Sequence, residues 1–222
     1  MKRICGWIPL SGLLILSIPF ASAQSFVDFG IGFGGAHDSS SGAGIENASS
    51  PFNAFGSCTP PGDQYCQKTP ALSGFFLGFA GNVLLAKHYG FGMEASFQPN
   101  RPDYGPLQYR ETFYDFNGVY SPVSEKKYAL LLSGGIGGAR TAFSYTQTAC
   151  VGTAVCSTGS TPVGNSNHFQ IHFGVGIPIY LTEHFFVRPE FDLHYVPNLT
   201  NQFGSNVVPQ GMVWVGYSLG DR

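Results

Sequence analysis

Four residues in the last third of the chain, His168, His172, Asp192 and His194, have the types and spacing to do chemistry. Side chains of an extended chain alternate with a period of two, so His168 and His172 share one face of their segment, as do Asp192 and His194 of theirs. The short link Leu181 to His184 makes the two segments a hairpin. Partners whose numbers sum to about 364 then set His172 opposite Asp192, with His168 and His172 both diagonal to His194. Imidazole and carboxylate groups gathered in this way could hold a metal ion or titrate near neutral pH. A buried polar network that satisfies its own members is the plainer reading and the one adopted, so neither metal nor cofactor is expected.

The same polar face carries further charge. Asp28, Glu94, Glu111, Asp115, Glu190 and Asp192 fall on it, against Arg188 alone. Uncompensated carboxylates in a low-dielectric space are costly. This imbalance predicts that Arg140 turns inward beside Glu111, through a bulge in the glycine-rich run Gly134 to Gly138. Ser166, His168 and Asp192 are the one set resembling hydrolase machinery, but no motif frames them, and the chain is expected not to be an enzyme. His37-Asp38 is read as polar loop chemistry. The absence of a phosphate-binding loop, a zinc-protease motif and a basic patch excludes a nucleic-acid partner.

Eight alternating segments, each roughly ten residues long, position these groups, which is the length a tilted strand needs to cross a bilayer. They begin near Ser25, Phe75, Tyr89, Gln108, Tyr128, His168, Phe185 and Gly211. The first sets Val27, Phe29, Ile31 and Phe33 against Asp28, Gly30, Gly32 and Gly34. The sixth sets Phe169, Ile171, Phe173 and Val175 against His168, Gln170, His172 and Gly174. Short links at Leu84 to His88, Ser121 to Lys127 and Leu181 to His184 alternate with long ones at Ala36 to Ala71, Pro99 to Leu107, Thr146 to Asn167 and Pro197 to Gln210. That rhythm predicts an all-β fold, an eight-stranded antiparallel up-and-down transmembrane β-barrel with both termini on the periplasmic side.

Met1 to Arg3 is basic, Ile4 to Phe20 is mostly apolar, and Ala21-Ser22-Ala23 completes a signal peptide, leaving residues 24–222 as the barrel domain. Charged residues make up only 11% of the chain and aromatic ones 15%, too little charge for an ordinary soluble surface. The apolar face is almost free of charge, as lipid contact requires, while the glycine-rich face makes a poor solvated exterior and a reasonable lumen. Tyr89, Tyr120, Tyr128, Tyr180 and Tyr195, near strand ends, are expected to form an interfacial girdle. Cys58, Cys66, Cys150 and Cys156 form two close-spaced pairs in loop-like surroundings, which in an exported chain argues for disulfides. Cys58 with Cys66 and Cys150 with Cys156 is the simplest of three possible connectivities.

The closing run Val213 to Gly220 is similar to the alternating C-terminal strand of the small bacterial outer-membrane β-barrel family, whose familiar member is outer-membrane protein A. This resemblance covers residues 24–222 and implies a barrel in the cell outer membrane without a periplasmic domain. It implies outer-membrane lipid and the assembly machinery as partners. The chain ends Gly220-Asp221-Arg222 where the family usually has a terminal Phe. The expected role is structural or surface-interacting, with disulfide-closed external loops presented to a surface ligand. The alternatives are a narrow passive channel, suggested by the lumen glycines, a rim lipid-modifying enzyme, and a soluble lipocalin-like binding barrel.

Overall fold

The computed structural model describes residues 26–39, 44–46, 66–68, 70–85, 88–104, 107–151 and 155–220. Eight strands carry the architecture: β1 (Phe26–Ala36), β2 (Phe75–Leu85), β3 (Tyr89–Phe97), β4 (Leu107–Ser124), β5 (Ala129–Val151), β6 (Val155–Gly176), β7 (Phe185–Tyr195) and β8 (Val207–Gly220). Each pairs antiparallel with its sequence neighbour. β1 also pairs with β8, from Phe26 opposite Gly220 to Ala36 opposite Gln210, and so closes the barrel. Closure leaves no open edge, the condition under which a sheet can stand in lipid. The expected signal peptide, residues 1–23, lies outside the described residues, as does Cys58, and with it the Cys58–Cys66 pairing.

Alternation places the side chains as the period of two requires. The outer face exposes Ile31, Phe91, Met93, Phe116, Ile136, Phe169 and Phe173, with Phe91 at 69%. Exposing this much aromatic and aliphatic surface around a whole sheet suits contact with lipid chains, not water. Tyr89 and Tyr120 stack on the outer face with ring centroids 4.9 Å apart, at the start of β3. Tyr180 does not join that girdle. It is buried against Phe186 inside the barrel, because Ile179 and Tyr180 continue the wall beyond Pro178 and the alternation turns Tyr180 inward.

β4 runs to Ser124 and β8 starts at Val207, each reaching into an expected link, and two further connections differ more. The stretch Thr146 to Asn167, expected as a loop, is strand throughout its described part: β5 runs to Val151 and β6 starts at Val155. The β-branched residues Thr146, Thr148, Thr158 and Thr161 support this pairing, Thr148 and Thr158 meet at 3.0 Å, and Cys150 is joined to Cys156 near the tip. The link between β6 and β7 is also wider than expected. Leu181 and Thr182 both donate to the carbonyl of Phe185, and the Thr182 hydroxyl accepts from His184 and Phe185. The register therefore sums to 366, with His172 opposite His194 and Asp192 opposite Gly174. A shift of two residues keeps every side chain on its face and changes only its partners.

Candidate functional site

The barrel interior is stratified along its axis. Near the short turns and the β1 and β8 ends, Phe26, Leu84, Val119 and Leu131 form one apolar group, and Ala129, Tyr180 and Phe186 another. Towards the long connections, Phe76, Tyr104, Tyr109, Phe113, Phe143, Phe203, Met212 and Trp214 lead a larger one. A polar layer lies between them. Buried polar side chains favour partners, and those of this layer bond one another from strand to strand while His194 Nδ1, Asp192 Oδ2 and Gln210 Nε2 are left without one among the described residues.

His172 sits at its centre, fully buried on β6. Its Nε2 meets Asp192 Oδ1 of β7 at 3.1 Å and its Nδ1 meets Asn117 Oδ1 of β4 at 3.0 Å, with Asp115 Oδ1 at 3.6 Å. Gln170 donates to Asp115 at 3.1 Å. The His172 ring stacks on His194 (5.1 Å), which stacks on Phe113 (4.3 Å), and His194 Nε2 meets Gln210 Oε1 at 2.9 Å. Arg188 forms the second focus. It pairs with Glu190 at 2.9 Å, lies 5.3 Å from the centre of the Trp214 ring, and donates to Asn82 at 2.6 Å when that amide presents its oxygen.

Among the described residues, two sets of side chains have the spacing of metal ligands, Asp115 with His172 and His194, and Glu94 with Glu190 and Asp192. Both lie in the buried polar layer, and both nitrogens of His172 already have protein partners. Glu94, Glu111, Asp115, His172, Arg188, Glu190, Asp192 and His194 all point inward and are buried, whereas His168 is half-exposed at the lip, bonded to Ser166 and to Gln202 (3.2 Å).

Among solved structures, the chain is similar to Ail, the attachment invasion locus protein of Yersinia pestis, crystallised with the heparin analogue sucrose octasulfate. The identity is 8% and the TM-score 0.50, over 88% of this chain and 99% of that one. It has the fold of the small outer-membrane barrels. Neisserial surface protein A (9% identity, TM-score 0.49, covering 89% and 99%) and OprG of Pseudomonas aeruginosa (13%, 0.46, 90% and 97%) are also similar. No family model and no curated protein sequence matches the chain. Identities this low speak for the architecture alone, so the chemistry of this outer-membrane barrel rests on its own residues.

Glycine inside this outer-membrane barrel makes room for bulk. Gly32 of β1 and Gly78 of β2 flank the indole of Trp214, and a Cβ at either position would collide with that ring. The volume that the lumen glycines give up is therefore occupied by a neighbour. A catalytic set of Ser166, His168 and Asp192 does not assemble: Asp192 belongs to His172, and His168 meets an amide where a triad would need a carboxylate.

Arg140 is a correction. It is exposed on the outer face of β5 opposite Thr112, and Thr141 is the inward residue, donating to Glu111 at 2.6 Å. The glycine run continues the alternation unbroken, and the irregularity between β5 and β6 comes only later, between Phe143 and Ser144. A neutral hydroxyl thus answers Glu111 where a cation was expected. Sequence reasoning also missed what Arg140 joins on the outside, a pocket shared with Arg101 and Arg110. Arg140 is far from Arg101 and Arg110 in sequence and joins them only through the β4–β5 register, so no local signal announces the set.

Proposed function

We propose that the protein is a non-catalytic outer-membrane barrel whose long-connection end faces the exterior and acts as a surface-interaction element. In this reading residues 1–23 are removed on export and both termini lie in the periplasm. The hairpin formed by β5 and β6 carries the proposal. β5 has 23 residues, although roughly ten suffice to span a bilayer, so about half the hairpin stands beyond the membrane. A rigid ribbon that length, closed by Cys150–Cys156, is suited to presenting a surface away from the lipid. The apolar groups on either side of the polar layer speak against the channel reading, since they fill the lumen above and below it.

The test combines two assays on the full chain. In planar bilayers the protein gives no stepwise conductance. Cells displaying it adhere to an epithelial monolayer or to a matrix-coated surface, and a variant with residues 146–158 replaced by an Asn-Gly turn loses that adhesion while retaining its heat-dependent electrophoretic shift. Regular conductance steps, or adhesion indifferent to the hairpin, would overturn the proposal.

A further inference from the structure

The pocket of about 420 Å³ on the outer wall is lined by Arg101, from the link after β3, Arg110 of β4 and Arg140 of β5. Arg101 is held against the hairpin, donating from Nη1 to Ser160 (2.6 Å) and Ser144 (3.2 Å). Arg110 donates from Nη2 to the carbonyl of Pro99 (3.3 Å), while its Nε is shielded from solvent without a hydrogen-bond partner. Among the described residues no carboxylate lies within 4.0 Å of any of the three guanidinium groups, Asp103 of the same link included. Three arginines that line one pocket, with no carboxylate of the described residues against them, form a receptor for an anion, and guanidinium forks match phosphate in particular.

The β4–β5 register says where that anion sits. Up the outer face the paired rows read Phe116 with Ile136, Tyr114 with Gly138, Thr112 with Arg140 and Arg110 with Ala142. Phe116 and Ile136 are 59% and 58% exposed in the apolar belt, and Tyr114, leaning across Gly138, is the last aromatic residue in these rows. Arg140 is four residues beyond Ile136, about 13 Å along the strand, which is the step from hydrocarbon to headgroup. We infer that Arg101, Arg110 and Arg140 bind the phosphate of a phosphorylated glycolipid headgroup in the outer leaflet, whose acyl chains lie against the belt below. The inference rests on the proposed orientation for its membrane leaflet but not for its chemistry, so a binding assay in micelles tests it separately.

The experiment uses the full barrel extracted into maltoside micelles, with bisphosphorylated lipid A, dephosphorylated lipid A, inorganic pyrophosphate and sucrose octasulfate as probes. Saturable binding is expected for bisphosphorylated lipid A and about tenfold or more weaker binding for the dephosphorylated form, as loss of charge-assisted hydrogen bonds implies. The double variant R110Q/R140Q loses a similar factor, and R140K alone loses less. Both keep the heat-dependent shift of a closed barrel, since the two side chains are outside the packed lumen. Equal binding of the two lipids, or binding unaffected in the double variant, would overturn the inference. Tight binding of pyrophosphate or the sulfated saccharide without binding of the lipid would also overturn it, in favour of a soluble anion.

Discussion

His172 shows how much one side chain is asked to do in this barrel. Its ring is held between Asp192 and Asn117 and stacked on His194, so its removal strands a carboxylate and an amide in a space without solvent. His172→Ala is expected to cost about 3 kcal/mol, the usual range for breaking a buried pair, read from urea unfolding in lipid vesicles. His172→Gln, which can bond one neighbour, falls between that variant and the wild type. Asp38, at the mouth, offers a pH test. Burial raises its carboxyl above the usual range, and backbone N–H groups of Ser205 and Ser39 draw it partly back. A raised acid holds its proton more tightly when folded, so the contact between the first and last long connections is firmest at low pH and weakens as pH rises through the carboxylate range. Asp38→Asn removes that slope and keeps the acceptor for Ser205, which hydrogen exchange of the Ser205 amide checks.

At the scale of the element, the β5–β6 hairpin separates what local pattern carries from what it does not. Side-chain facing is legible where apolar and polar residues alternate, because a period of two needs only the identity of neighbours: Phe169, Ile171 and Phe173 against Gln170 and His172 admit one orientation, while the run Leu130-Leu131-Leu132 of β5 leaves its phase open. The upper hairpin was not legible. Its Ser, Thr and Gly composition reads as loop, and the pairing that orders it comes from cross-strand threonines and a disulfide, which are relations between distant positions. The His172–Asp192 register was missed by two residues because a turn that closes on the carbonyl of Phe185 looks, in sequence, like one that closes a residue earlier. Arg140 stands outward because alternation decides facing, and the carboxylate that points to an inward cation, Glu111, is answered by Thr141 instead. Since the disulfide lies near the hairpin tip and far from the lumen, Cys150→Ser with Cys156→Ser is expected to leave the barrel's heat-dependent shift intact. Limited proteolysis then cuts the variant between 150 and 156 faster than the oxidised wild type.

For the whole molecule, the layered interior makes bulk at the inward glycines the sensitive variable. Gly32→Leu drives a side chain into the space of Trp214, and with wall and indole both fixed the expected outcome is failure to reach the closed, heat-modifiable form in refolding assays. Trp214→Gly in the same background restores it if lost space is the cause. The layering has one more consequence, which concerns time. With apolar groups on both sides, the hydrogens of the fully buried His172 and Gln170 exchange slowly with water while the wall stays closed, so they record the solvent in which the chain assembled. A barrel refolded in heavy water and transferred to ordinary water should carry deuterium around His172 and Gln170 long after the transfer, a date stamp that unfolding erases at once.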